Sequence, residues 1–296
     1  MPSPTVPEQL RQLPFTLAQA RSAGLTRGAL RSPWWRRLFR GVWVHADVPE
    51  SLELRLSALR LVLPADAVVC GPTAAWLYGA DIRRDGDLDV HVYVPPGTRI
   101  RSRAGLLVSQ AQLADADVWV TRQVTVTSAV RTVFDCLRLR DEDDAIVAAD
   151  ALTHLRCTTV DAVAAYIASR PSLRHCRTAK ERLALVEPKT ESPMETRLRL
   201  LLLRAGLPRP QPQWEVFRGR TFVARLDFAW PAVQVAVEYD GADHWARRRE
   251  DDRRRAAARE LEWHVDVVSS DDYYQTPDDV VAMVTRALQR RGLCWT

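Results

Sequence analysis

Lysine and asparagine are nearly missing from this chain. Lys180 and Lys189 are the only lysines, asparagine does not occur, and arginine supplies the other 40 of the 42 cations. Skewed codon usage produces such a composition as readily as selection does, so where the arginines stand says more than how many there are. Cysteine is sparse as well. Cys70, Cys136, Cys157, Cys176 and Cys294 are far apart, without a CxxC pair or a Cys/His cluster at zinc spacing. That excludes a disulfide framework and a zinc module, and predicts reduced, buried thiols. Long apolar runs are missing too: Leu61-Val-Leu and Ala229 to Val237 are interrupted or short, far below the roughly 18 residues of a membrane span. The N-terminus carries proline and glutamine rather than an apolar core segment, so no signal peptide is read and a cytoplasmic location is expected.

What is present is enough for a globular protein. The 296 residues are 47% hydrophobic, which allows two or three domains with real cores. The net charge of +5 and pI near 9.2 favour a polyanionic partner. The pattern predicts an α/β multidomain protein: a winged helix-turn-helix over 1–50, a mixed α/β domain over 51–186 and an αβββαβ domain over 190–296.

In the first segment Thr16 can cap a helix to about Ala23, Gly24 supplies a turn, and Thr26 can cap a second helix to about Ser32, where Pro33 stops it. The stretch from Trp34 to His45 alternates apolar and basic residues around Gly41, as a wing hairpin does. Arg27, Arg31, Arg36, Arg37 and Arg40 could then face one DNA backbone. An αα-hairpin with its arginines on a solvated face fits the same residues.

The middle segment reads as helices over Leu52–Leu63, Val130–Leu139, Asp144–Leu155 and Val160–Ala168, with strands at Ala67–Cys70 and Leu88–Val94. Gly71-Pro-Thr73 followed by Asp87-Leu-Asp89 has the residue types of a nucleotidyltransferase metal site. Proline stands in the serine position, however, and Asp85, Asp87 and Asp89 are expected as the polar face and entry turn of a strand. Glu187 to Pro193, with two prolines and small polar residues, reads as a linker.

The third segment carries the chemistry. Ser192-Pro193-Met194-Glu195 combines an N-cap serine, a first-turn proline and a capping-box glutamate, and predicts a helix to about Arg204. Strands are expected at Gln213–Phe217, Thr221–Ala229 and Val233–Tyr239, then a charged helix over Arg247–Leu261, a strand over His264–Val268 and a last helix over Asp278–Arg291. With the turn centred on Pro231 to Gln234, Asp227 and Glu238 are equidistant from it and face each other. Opposed side chains have Cβ atoms about 4.5–5.5 Å apart, so two carboxylates there repel unless a cation lies between them. The period of two puts Asp240 on the same face as Glu238. Mg2+ or Mn2+ held by these acids would polarise a phosphate and acidify a bound water, with His244 as general base. Turn-flanking acids paired to arginines such as Arg225 would have the same sequence.

Asp227, ten intervening residues and then Glu238-Tyr239-Asp240, within an αβββαβ order, resembles the PD-(D/E)XK nuclease superfamily. Ser-Pro-Met-Glu195, Leu226-Asp227-Phe-Ala-Trp-Pro, Val237-Glu238-Tyr-Asp-Gly-Ala-Asp-His244, Asp251-Asp-Arg-Arg254 and Trp263 resemble an actinobacterial domain family related to very-short-patch-repair and MutH-type DNA endonucleases. The resemblance implies Asp227 and Glu238 as metal carboxylates, the Tyr239 carbonyl as a further ligand, and Glu195 as a supporting acid unless its capping role exhausts it. It puts Asp240 in the place of the superfamily's lysine, leaving His244 to activate water, and sets Arg254 toward the substrate phosphate or into a helix ion pair. Glu262 and Ala258 depart from the relatives' glycine and leucine.

Phe15 to His45, Gly71-Pro-Thr-Ala-Ala-Trp-Leu-Tyr-Gly79 and Val124 to Asp135 resemble antitoxins of the type IV abortive-infection class. That implies DNA binding, promoter repression and a cognate toxin as partner. Two functions are therefore expected to compete. One is a metal-dependent DNA endonuclease-like enzyme in defence or repair, and the other a transcriptional repressor or antitoxin in which the nuclease fold is scaffold.

Overall fold

A computed structural model describes residues 7–82, 89–103, 105–120, 124–139, 141–240 and 248–295, with the side chains at 9, 52, 53, 56 and 248–252 left aside. The protein is a mixed α/β chain with three sheets among these residues. It divides into two compact units: 1–138 with 157–179, and 139–156 with 180–296. None of the described helices is long and apolar enough to cross a membrane.

The first unit begins with β1 (Phe15–Thr16), β2 (Trp35–Phe39) and β3 (Val42–His45), an antiparallel sheet ordered β1-β3-β2. Thr16 closes a capping box on helix Leu17–Ser22 through Gln19. The second helix expected over Thr26 to Ser32 is reduced to a single 3-10 turn, Ala29–Arg31. Thr26 does cap it, taking the Ala29 N–H at 3.1 Å. A segment that short, with Gly28 inside it and Pro33 behind it, cannot repay helix nucleation.

The rest of this unit is a mixed sheet ordered β6-β5-β4-β8-β7, formed by β4 (Val68–Val69), β5 (Val90–Val94), β6 (Leu106–Gln110), β7 (Val118–Val120) and β8 (Thr125–Thr127). Leu38, Phe39, Val42 and Val44 of the small sheet share one core with Leu54, Ala58 and Leu59 of helix Leu52–Arg60 and with Val69, Val90, Val92 and Leu106. The helices Ala129–Leu137 and Val160–Ser169 pack together, and Arg131, Asp135, Arg138 and Tyr93 form a charged knot there.

The second unit follows the predicted order. Helix Pro193–Arg204 precedes β9 (Gln211–Arg218), β10 (Thr221–Trp230) and β11 (Val235–Asp240), helix Arg248–Arg259, β12 (His264–Ser269) and helix Pro277–Arg290, with one further short helix at Ser270–Gln275. The sheet runs β12-β11-β10-β9, antiparallel except for the parallel β11–β12 pair that the intervening helix connects. Both faces are covered, which is why β11 buries Val235, Ala236 and Val237 in succession. Val235, Val237, Phe228 and Trp230 join Leu198, Leu202, Val280 and Val284 on one side, while Ala229 and Ala236 join Ala258 and Trp263 on the other.

Helix Glu142–His154 belongs to this unit and packs on helix Pro193–Arg204. Between them lies a fully buried ion pair. Arg199 Nη2 donates to Asp150 Oδ2 at 2.8 Å, with side-chain exposures of 0% and 1%. Thr196 Oγ1 donates to the same oxygen, and the Glu187 N–H donates to Asp150 Oδ1 at 2.7 Å. The segment read as a linker is thus fastened to this helix at its first residue, and Thr190 within it is buried.

Candidate functional site

The β10–β11 hairpin has the register that its turn residues predict. Pro231–Val233 form a 3-10 turn, Gln234 takes the left-handed conformation (φ 52°), and Phe228 pairs with Val237, Ala229 with Ala236 and Trp230 with Val235. One step further along this register Asp227 faces Glu238. The ladder ends there, because the Tyr239 N–H donates at 2.9 Å to the Asp227 carboxylate (Oδ2) instead of to a carbonyl.

Asp227 is half-buried, and burial is the largest influence on it; Glu195, Glu238 and Glu191 add repulsion that the Tyr239 N–H only partly offsets. Together they push its carboxyl up to about 8. Glu195 is buried and is raised for the same reasons, desolvation first and Glu191 among the charges. Ser192 caps its helix by accepting the Glu195 N–H, but the expected return bond of the capping box goes elsewhere. Glu195 Oε2 accepts the Glu191 N–H at 3.0 Å and the Gln213 side-chain amide at 2.9 Å. The glutamate is therefore both a helix-end acceptor and a member of the acid cluster.

Gln213 went unnoticed in the sequence. It stands opposite Asp227 in the β9–β10 register, between the pairs Leu226–Trp214 and Phe228–Pro212, with a left-handed φ of 51°. A non-glycine residue in that conformation within a strand costs about 1–3 kcal/mol, and such strain gathers at functional positions. Here it turns the side-chain amide onto Glu195.

Arg255 is the second residue that sequence reasoning missed. From helix Arg248–Arg259 its Nε donates to Glu238 Oε2 at 2.9 Å, and its Nη2 lies 3.6 Å from Asp240 Oδ2. The guanidinium is largely buried, with 12% of the side chain exposed. Arg254, its neighbour, is exposed. Arg225 pairs with Glu191 at 2.7 Å rather than with Asp227, the partner that a turn-flanking role would give it. His244 lies outside the described residues. Five carboxylates (Glu191, Glu195, Asp227, Glu238 and Asp240) thus gather here among the described residues, with Arg225 paired to Glu191 and Arg255 to Glu238 and Asp240.

Among the described residues no three His, Cys, Asp or Glu side chains are arranged as a metal-ligand group. The donors that Asp227, Glu238 and the Tyr239 carbonyl offer are two carboxylates and a backbone oxygen. They suit a hard cation such as Mg2+ that keeps several waters and takes one or two carboxylates from the protein.

The other sequence candidates fall in the first unit. Arg27, Arg31, Arg37 and Arg40 are exposed. Arg36 is not available in the same way, since it pairs with Glu50 and donates to the Val48 carbonyl at 2.7 Å. In the Gly71-Pro-Thr73 and Asp87-Leu-Asp89 constellation, Asp85 and Asp87 lie outside the described residues. Thr73 accepts the His91 N–H and Asp89 accepts the Gly105 N–H, which are bonds that fix the loop.

No protein-family model matches the chain. It is 31% identical over 268 residues to two proteins of Mycobacterium tuberculosis, the uncharacterized proteins Rv2248 and MT2308, covering 84% of this chain and 92% of each relative. The crystal structure of the RV2827C protein, also from Mycobacterium tuberculosis, superposes with a TM-score of 0.36 at 17% identity, over 70% of this chain and 84% of that one.

Proposed function

We propose, for a chain that belongs to the family of the Mycobacterium tuberculosis proteins Rv2248 and MT2308, that the C-terminal unit hydrolyses DNA phosphodiester bonds with a divalent ion. The observation that carries this reading is the acid cluster itself. A half-buried Asp227 pushed up to about 8, by burial first and then by Glu195, Glu238 and Glu191, sits in a cluster where acids outnumber cations among the described residues, and a structural scaffold gains nothing from it. Bound by Asp227, Glu238 and the Tyr239 carbonyl, Mg2+ or Mn2+ would supply Lewis acidity and an acidified water. Glu195 repels Asp227 and so adds to the cluster's demand for a cation, with Gln213 fixing Glu195. Arg255 cannot accept a proton at neutral pH, but it can hold Glu238 ionised and offer positive charge beside the phosphate, where the superfamily pattern would have a lysine on the strand. On this reading His244 takes the proton from water.

Incubation with plasmid and mismatched DNA in Mg2+ or Mn2+ tests the proposal. The wild type nicks or cleaves, and Asp227→Ala or Glu238→Ala lowers the rate about a hundredfold or more, ~3 kcal/mol of transition-state stabilisation. Equal cleavage by wild type and variants, or none by any, refutes it.

A second reading has one observation in its favour: Arg255 neutralises Glu238 and Asp240, as it would in a scaffold. The protein would then be a repressor or antitoxin with a toxin as partner, bound to DNA through the first unit. Gel shifts on its own promoter region address it. Arg27→Ala, Arg37→Ala and Arg40→Ala are each expected to lower the salt dependence of binding by about one unit of log–log slope. Arg36→Ala, losing Glu50 rather than phosphate, lowers the melting temperature and leaves that slope unchanged. Slopes untouched by the first three variants would remove the DNA contact from this sheet.

A further inference from the structure

Phe217, Arg218, Gly219, Arg220, Thr221 and Phe222 are six consecutive exposed residues at the tip of the β9–β10 hairpin. The turn is as tight as a hairpin allows. Thr221 pairs with Arg218, leaving Gly219 and Arg220 as a two-residue loop, with Gly219 at φ 64° where a type II′ turn needs glycine. Directly behind the loop Phe217 pairs with Phe222 across the strands. Their rings meet edge to face, with centroids 5.9 Å apart and an interplanar angle of 78°. About half of each ring is open to water, 48% and 50%.

Two phenylalanines fixed against each other and half-exposed are costly to leave uncovered, and their surroundings narrow what covers them. The six-residue tip carries two arginines and no acid. Among the described residues the ion pair there joins Arg218 to Glu260 at 2.8 Å, with both side chains more than half exposed. Such a surface pair is worth about 0–1 kcal/mol and exchanges readily for a stronger anion. Arg220 has no ion pair among the described residues. An aromatic wedge flanked by cations complements a stacked, anionic polymer better than a protein surface of mixed charge.

The geometry also sets a distance. Phe222 precedes Asp227 by five residues on the same strand, which is bulged between Phe222 and Ala224, so at about 3.4 Å per residue its backbone lies up to about 17 Å from that of Asp227. Five steps of duplex DNA at about 3.4 Å each cover the same length.

We propose that this hairpin tip grips duplex DNA, its Phe217–Phe222 pair pressing into the base stack about five base pairs from the phosphate at the acid cluster, with Arg218 and Arg220 on the flanking backbone. The proposal rests on the reading that the C-terminal unit works on DNA, and it names that unit's substrate as a duplex that can be locally unstacked.

The test uses the full chain with Ca2+ in place of Mg2+, so that binding is read without cleavage. Duplexes each carrying a single 2-aminopurine, placed at successive positions, report unstacking by a rise in fluorescence. The wild type raises it severalfold at one or two neighbouring positions. Phe217→Ala/Phe222→Ala abolishes the rise and weakens binding about tenfold or more, as loss of one aromatic–base contact implies. Arg220→Ala keeps the rise but lowers the salt slope by about one. Arg220→Ala leaves the melting temperature unchanged, and the double phenylalanine variant, which loses a half-exposed ring pair, lowers it by only a few degrees, which checks that both fold. An unchanged rise and affinity in the double variant overturns the proposal. So does a change of oligomeric state in that variant with DNA binding intact, which would assign the rings to self-association along the edge strand β9. Asp227→Ala separates this proposal from the catalytic one: tip binding survives in it whether or not the wild type cleaves.

Discussion

Arg199→Met is expected to cost about 3–5 kcal/mol of stability at pH 8, because it strips the paired cation from a carboxylate with 1% exposure. Asp150 would keep its bonds from Thr196 and the Glu187 N–H, both neutral donors, which offset only part of the desolvation. Even with Arg199 in place, burial pushes the Asp150 carboxyl up to about 6. Without it the carboxyl rises further, so the variant's penalty shrinks as the pH falls and Asp150 takes a proton. Adding Asp150→Asn to Arg199→Met removes the stranded charge while leaving an oxygen for Glu187, and recovers about 1–2 kcal/mol. Denaturant unfolding of the two variants at pH 5 and pH 8 measures all of this. A penalty below about 1 kcal/mol at pH 8, with no pH dependence, would show that water reaches the pair and that the burial argument is wrong.

The acid cluster makes the second large effect, and its sign is opposite to that of an ordinary salt-bridged aspartate. Asp227 releases its proton at about 8 in the folded protein, against about 3.9 in an unfolded chain. Between those values the folded state keeps a proton that the unfolded state has lost, so stability falls as the pH rises from about 4 to about 8. Glu195, also raised, contributes in the same direction. Asp227→Asn retains an acceptor for the Tyr239 N–H and removes the charge. It should flatten the decline and stabilise the metal-free protein at pH 8 by about 2–4 kcal/mol. Mg2+ or Mn2+ should raise the wild-type melting temperature at pH 8 and leave Asp227→Asn unmoved. A wild-type melting temperature that is level from pH 5 to pH 8, and indifferent to either ion, would mean that the carboxylates do not share one electrostatic site.

The register of the hairpin was legible because period-two alternation and a proline-led turn leave few ways to fold Asp227 to Tyr239. The order of elements from Ser192 onward was legible for similar reasons, each helix having its cap and each strand its apolar run. The cations around the acids were not. Helix Arg248–Arg259 is so rich in arginine that composition singles out no position, and a helix turns 100° per residue, so choosing Arg254 rather than Arg255 picks an exposed side chain in place of the one that meets Glu238. Gln213 was hidden for another reason: its left-handed backbone breaks the alternation that sequence reading relies on. The shortfall over Thr26 to Ser32 came from good capping residues around a segment too short to use them.

Helix Glu142–His154 gives the chain an unusual inheritance. It is built into the C-terminal unit, yet its neighbours on either side in sequence, up to Arg138 and from Cys157 to Ala179, belong to the other. The backbone therefore passes between the units three times, and no single cut yields either one intact. A fragment starting at the prolines of 188–193 would leave Arg199 with no Asp150 and helix Pro193–Arg204 with one flank bare. The C-terminal unit is thus not a cassette that recombination could lift out and append elsewhere. Whatever the two units do, they have had to be copied, lost and selected together.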